Sequence, residues 1–222
     1  LRDQISSVVG AAQFNGLNML QNSSDAPESG TNEILASLDR AADGSVTKGT
    51  IDVIKQDLTQ KAATLGSGTL ANDLTTSVGG INDGESGVNQ TATINTATAG
   101  ATYAIDISAG TNALVGLNGE QVGYVARDGD TTADIASALA LKFNALVAEG
   151  TEDVSVGAVA NGNNPGEIEF ISSEGDNDYQ VTVTDDNNAS TDQVIGGGLE
   201  LLADLDVTTE AGARGALAAI EG

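Results

Sequence analysis

Between residues 88 and 196 this chain alternates apolar and polar residues in short runs, each bounded by Gly, Asn or Asp, which is the period of half-buried strands. Tyr103, Ile105 and Ile107 alternate, as do Val122 with Tyr124, Val154 with Val156, Ile168 with Phe170, and Tyr179 with Val181 and Val183. One helix interrupts them. Thr131-Thr132-Ala133-Asp134 has the form of a capping box, and Ile135, Ala138, Leu139, Phe143 and Leu146 then fall on one helical face. Ile135, Leu139 and Phe143 are the expected core of that helix against the sheet, with Lys142 left in solvent.

The flanks have a different period. Leu1, Ile5 and Val8 recur at i, i+4 and i+7, a narrow apolar stripe on a helix that Gly10 weakens and Asn15-Gly16 ends. A helix this short is marginal alone in water, so it needs a partner surface. The C-terminal segment supplies the expected one: Asp206 or Thr208 caps a helix whose inward positions are Ala213, Leu217 and Ile220, again at i, i+4 and i+7. After a polar loop over 22–30, residues 31–58 read as a β-hairpin around Asp43-Gly44, a dipeptide that tolerates φ > 0. Ile34, Ala36 and Leu38 are expected on one face, and Ile51 and Val53 on one face of the return strand. Residues 66–87 are rich in Gly, Ser, Thr and Asn and read as the passage into a second domain. The expected class is α+β.

Composition removes most chemistry. With no His and no Cys, the chain has no Ser-His-Asp, Cys-His or HExxH arrangement, no thiolate metal site and no disulfide. A formal net charge of −24 opposes nucleic acid and anionic membranes, whose recognition needs Lys and Arg. No apolar run approaches the roughly 18 residues of a membrane span. Asp128-Gly129-Asp130, residues 174–178 and residues 185–188 offer oxygen ligands for Ca²⁺, but none follows the EF-hand register, and turn chemistry accounts for acidic turns in so acidic a chain. Without Trp, a pair of carboxylates has no stacking platform for a sugar. Gly196-Gly197-Gly198 lacks the Lys of a phosphate loop and reads as a hinge. Asn22, Asn89 and Asn188 open N-glycosylation triplets that arise readily by chance. The expectation is therefore no catalytic residue, no cofactor and no metal.

Residues 5–20, centred on Gln13-Phe14-Asn15-Gly16, resemble the stretch of bacterial flagellins in which the ascending rod helix gives way to an extended segment, and residues 202–217 resemble the descending helix. The region around Gly129-Asp130-Thr131, Ala133-Asp134-Ile135-Ala136 and Asn144-Ala145 resembles the small module inserted in flagellins, hook-associated proteins and some phage tail proteins. The resemblance implies two truncated rod helices with a β-hairpin over 1–65 and 199–222, plus a β-rich outer domain with one helix over 66–198. It makes Gln13, Phe14, Asn15 and Gly16 a structural joint, with Phe14 buried in it, and Asp43-Gly44 the turn of the hairpin on the rod. It implies a filament subunit exported without a cleaved signal, located outside the cell on the flagellum, whose partners are other subunits and the export and cap proteins. The chain would be a central portion, monomeric by itself because the terminal polymerisation helices lie outside it. A hook-associated protein, or an adhesin or carbohydrate-binding protein on the same scaffold, fits the same residues.

Overall fold

The computed structural model describes residues 2–14, 16–21, 31–66, 75–76, 90–109, 119–150, 156–172, 179–185, 192–203 and 207–221. In chain order they form α1 (Arg2–Ala11), β1 (Gln13–Phe14), β2 (Leu17–Asn18), β3 (Thr31–Arg40), β4 (Val46–Ile54), β5 (Thr75–Thr76), β6 (Gln90–Thr93), β7 (Thr102–Ala109), β8 (Gln121–Val125), α2 (Thr132–Gly150), β9 (Val156–Ala160), β10 (Glu167–Ser172), β11 (Tyr179–Asp185), a 3₁₀ turn (Glu200–Leu202) and α3 (Glu210–Glu221). The fold is mixed α+β with every strand pair antiparallel.

The core belongs to the region from β6 to β10. A four-stranded sheet ordered β5-β6-β10-β9 and a three-stranded sheet ordered β11-β7-β8 both present apolar side chains to α2. Ile135, Leu139 and Phe143 are each 0% exposed, and the Phe143 ring meets Phe170 edge to face, with centroids 5.4 Å apart and planes at 79°. Burying one continuous face of a 19-residue helix is what holds the two sheets together. Helix α2 begins where the capping box places it. Thr131 Oγ1 and its amide donate to Asp134 Oδ2 at 2.6 and 2.8 Å, and the Asp134 amide donates back to Thr131 Oγ1 at 3.3 Å.

Those hydrogen bonds, the hydroxyl first, hold the Asp134 carboxyl below its ordinary value. A carboxyl depressed in the folded state adds stability that is complete above its unfolded pKa of about 3.9 and is lost as pH falls through the lower folded value. Asp134→Asn is therefore expected to separate from the parent in stability above about pH 4 and to converge with it in stronger acid. Denaturant melts at stepped pH, with a carboxyl NMR titration of Asp134, check both the sign and the window.

The hairpin β3–β4 is a bare ribbon. Its three-residue tip turns on Gly44 at φ +88°, with a 2.9 Å bond from the Gly44 amide to the Ala41 carbonyl, while Asp43 Oδ1 accepts from the Ser45 amide and hydroxyl. The register slips at Ala36: Leu35 pairs with Thr50 and Ser37 with Gly49. A bulge of one residue exchanges the faces beyond it. Ile34 consequently shares a face with Ile51 and Val53, whereas Leu38 lies opposite with Leu35, Val46 and Ile54. The expected common face of Ile34, Ala36 and Leu38 is thus corrected by the bulge. Gly49 stands opposite because a Cβ there would lie 2.6 Å from Ser37 Oγ. Both faces leave large apolar side chains exposed, from Ile34 at 49% to Leu38 at 65%.

The terminal helices also depart from expectation. Helix α3 packs along α2, not α1. Its cap is Thr209, whose Oγ1 accepts from the Gly212 amide at 3.0 Å. Among its described side chains the buried positions are Gly212, Gly215 and Ala216, while Ala213 is exposed and Leu217 is 56% exposed; the side chain of Ile220 lies outside the described residues. On α1 the inward residue is Val9, and Val8 is 67% exposed. Small side chains permit the closer approach between α3 and α2, which the ranking of residues by hydrophobicity does not anticipate.

Candidate functional site

The segments that enter and leave the core region, 57–66 and 192–200, run side by side as a stem. Thr64 and Val194 exchange both backbone hydrogen bonds at 2.9 Å. Below them the Gly197 amide donates to the Lys61 carbonyl at 2.8 Å, Gly198 to Asp57 at 2.7 Å and Leu199 to Thr59 at 3.0 Å. Gly196-Gly197-Gly198 is the tightest part. A Cβ at Gly197 would overlap the Thr59 carbonyl, one at Gly198 the Asp57 carbonyl, and one at Gly196 the Glu200 carboxylate. The glycines serve close backbone approach, so the hinge read from the sequence is corrected to a locked contact.

A clasp of charged side chains fixes this stem to the core. Glu200 is 7% exposed; its Oε1 lies 2.8 Å from Lys142 Nζ and its Oε2 accepts from the Ala63 amide at 3.1 Å. Lys142 also donates to the Gly123 carbonyl on β8 at 2.7 Å, and its side chain is 16% exposed. The expectation that Lys142 stands in solvent fails because its partner comes from the returning segment, far along the chain. Arg127 donates through Nε and a terminal nitrogen to the carbonyls of Gly196 and Gly197 at 3.2 and 2.6 Å. The Tyr124 ring lies beneath both cations, 5.3 Å from the Arg127 guanidinium and 5.9 Å from Lys142 Nζ. Its hydroxyl donates to Asp130 Oδ2 at 2.6 Å, and the same oxygen accepts from the Arg127 amide at 2.7 Å. Burial, above all, pushes the Tyr124 hydroxyl far above its ordinary pKa, so the ring stays neutral between the charges. Over the opposite face of the β7–β8 sheet, Leu65 occupies the space left by Gly123, and the Gly66 amide donates to the buried Thr102 hydroxyl at 3.0 Å.

The foot of the stem holds α1. Arg2 donates to the Ala203 carbonyl at 2.6 Å and Gln60 to the Arg2 carbonyl at 3.1 Å. Gln56 and Leu58 donate to the carbonyls of Met19 and Leu20 at 2.9 and 3.0 Å. Within the sequence-named joint, Gln13 Nε2 donates to the Gly10 carbonyl at 3.3 Å, and Gly16 takes φ +78° in the turn between β1 and β2. Asn15 and the side chain of Phe14, including its expected burial, lie outside the described residues. Asn18, which the sequence did not single out, closes the helix end: its Nδ2 donates to the Val9 carbonyl at 2.7 Å and its Oδ1 accepts from the Leu20 amide at 2.9 Å. Asp43 and Gly44 sit at the tip of the β3–β4 ribbon, and Ile135, Leu139 and Phe143 in the core beneath the clasp.

Of the acidic clusters, Asp130 is engaged by Tyr124 and Arg127, while residues 174–178 and 186–188 lie outside the described residues. Among the described residues no group of three or more acidic side chains is arranged to hold a metal ion, and no helix is long and apolar enough to cross a membrane. The arrangement joins two antiparallel connections to each other and clasps both to one face of the core region. As members of one site, Tyr124, Arg127, Lys142 and Glu200 escaped sequence reading, and the one local signal was a glycine triplet two residues before an acid. The chain matches no protein-family model, no curated protein and no solved structure.

Proposed function

We propose that this chain is part of a structural subunit of the bacterial flagellar filament, with the helix-and-sheet region as its outer module and α1, the hairpin and α3 as parts of its rod. The observation that carries the reading is the clasped stem. A module inserted into a rod must leave and re-enter it at one place, and a filament turned in water needs that place to be stiff. Paired connections with no room for a Cβ, bound by Arg127 and by Lys142–Glu200, have those properties. The resemblance of residues 5–20 and 202–217 to the flagellin rod supplies the identity of the scaffold. The two-sided apolar ribbon β3–β4 adds support, because an isolated two-stranded ribbon is marginal in water and gains stability from a surface to lie against.

In this reading the subunit acts outside the cell, in contact with other copies of itself, and works by packing, with no catalytic group. Antibodies raised against the chain are expected to label flagella along their whole length in immunogold electron microscopy of the source cells. Gold confined to the hook junction would assign a hook-associated protein instead, and gold over the cell body without filaments an adhesin.

A further inference from the structure

One face of the β3–β4 ribbon carries a charge pattern of its own. The ladder sets Glu33 opposite Asp52, Leu35 opposite Thr50, Leu38 opposite Lys48 and Arg40 opposite Val46, all on the side of Ile54. The bulge at Ala36 makes this face, since a regular ladder would put Ser37 and Asp39 where Leu38 and Arg40 stand. Leu35, Leu38, Val46 and Ile54 are between 52% and 65% exposed on it. The other face, that of Ile34 and Ile51, is tied to the chain at its base, where Asn32 Nδ2 donates to Met19 Sδ at 3.2 Å.

Along the first face acid and base are separated. Glu33 and Asp52 stand side by side toward the stem, and Lys48 and Arg40 toward the tip. Two carboxylates directly opposite each other repel across a ladder. Lys48 answers one of them, reaching Glu33 Oε2 at 2.7 Å, but both side chains are more than half exposed, and an ion pair of that kind holds its partners weakly. With acid at one end, base at the other and Leu35 between, the face is complementary to itself turned end for end. The ribbon is also close to neutral in a chain of net charge −24: Arg40, Lys48 and Lys55 stand in or beside it against Glu33, Asp39, Asp43 and Asp52. At physiological ionic strength exposed charges more than about 8 Å apart are largely screened, so the ends of the ribbon decide a contact there rather than the total charge.

We infer that this face docks on the same face of a second copy of the chain, the two ribbons stacking about a two-fold axis. Turning one copy end for end sets Leu35 against Leu35, Ile54 against Val46, and the Glu33–Asp52 end over Lys48 of the other copy. The stack has four strands around one apolar layer, which a lone ribbon lacks. Nine paired residues make the face about 30 Å long, and two strands make it about 10 Å wide, so it covers a few hundred Å² per copy. That is well under the roughly 800 Å² per partner of a stable complex, and the pair is weak and reversible. It replaces the monomer expected of the chain by itself. A two-fold contact closes on two copies and does not propagate, so it differs from the repeating contact of a filament. The pairing stands on register and charge; only its place, among subunits not yet assembled, rests on the filament reading.

Sedimentation of the whole chain over a concentration series, with NMR shifts followed residue by residue, tests the pairing. The mass is expected to rise toward two chains by about 1 mM, with the shifts confined to the ribbon. Arg40→Glu with Lys48→Glu makes the face wholly acidic, and Glu33→Lys with Asp52→Lys makes it wholly basic. Each of these variants is expected to stay monomeric alone, and an equimolar mixture of the two to pair. Leu35→Glu, at the centre of the contact, is expected to abolish pairing with the charged ends intact. All five positions are exposed, so the ribbon is expected to persist in the variants, which its cross-strand NMR contacts register, and the parent's own series depends on no variant. A parent still monomeric at about 1 mM, charge variants that associate as the parent does, or a mixture that stays monomeric overturns the inference. No filament enters the measurement, so a negative immunogold result leaves the pair standing, and a monomeric parent leaves the filament reading intact.

Discussion

Phe143→Ala is expected to destabilise the chain by about 3–5 kcal/mol, the cost typical of emptying a buried aromatic site. The side chain is 0% exposed and meets Phe170 edge to face, a contact worth roughly 0.5–1.5 kcal/mol beyond its area. Apart from Phe170, Tyr103 and Tyr124, the core cluster is built from Ile, Val, Leu and Ala, so few side chains are large enough to close the gap. The loss falls on the element that joins the two sheets, and unfolding of the whole core region as one unit follows. Denaturant melts followed by far-ultraviolet dichroism give the magnitude. A change below about 1 kcal/mol would mean that α2 is not the organising element, since cavities of this kind rarely cost so little.

Breaking the clasp from one side is expected to cost nearly as much. Glu200→Ala leaves the Lys142 ammonium, 16% exposed, without its anion and the Ala63 amide without its acceptor. Removing one member of a buried pair typically costs about 3–5 kcal/mol, because the penalty is that of an uncompensated charge. The attraction within the pair is a separate quantity, and replacing both partners tests it. Glu200→Leu with Lys142→Met is expected to recover most of the stability lost by either change alone, since buried ion pairs are often matched by apolar residues of similar volume. The stem is expected to behave differently from global stability. In the double variant the amides of Ala63 and Gly197 should exchange faster than in the parent even where the melting midpoint returns, because the apolar pair holds no fixed geometry. A double variant as protected at those amides as the parent would show that the glycine contacts and Arg127 suffice to hold the stem.

The elements visible in the sequence are those whose stabilising pattern is local. Tyr103, Ile105 and Ile107 alternate and are buried at 1%, 0% and 3%, and the Thr131–Asp134 box opens α2 through bonds made within four residues. The β3–β4 ribbon was visible for the same reason, since Gly44 needs only its own φ of +88°. Its faces were not. Leu35-Ala36-Ser37 carries no mark of a bulge, and the slip becomes evident only when Ser37 is set opposite Gly49.

What the tertiary structure decided is who meets whom. Lys142 looks like any solvent-facing lysine until Glu200 arrives from 58 residues away, and Gly196-Gly197-Gly198 looks like a hinge until the carbonyls of Asp57 and Thr59 occupy the space beside it. Helix α3 was legible as a helix, but its partner was not, because Gly212, Gly215 and Ala216 gain from the closeness of a neighbouring backbone, a quantity absent from any ranking of side chains. By itself, then, the sequence determined the mixed α+β class, the strands β7, β8, β10 and β11 and the buried face of α2, all set by periods of two or 3.6 residues acting on near neighbours, whereas β6, with the buried Ala92, carried no such signal. The clasp, the locked stem and the seat of α3 were settled by contacts between distant segments, where shape and charge act only once the chain has brought them together.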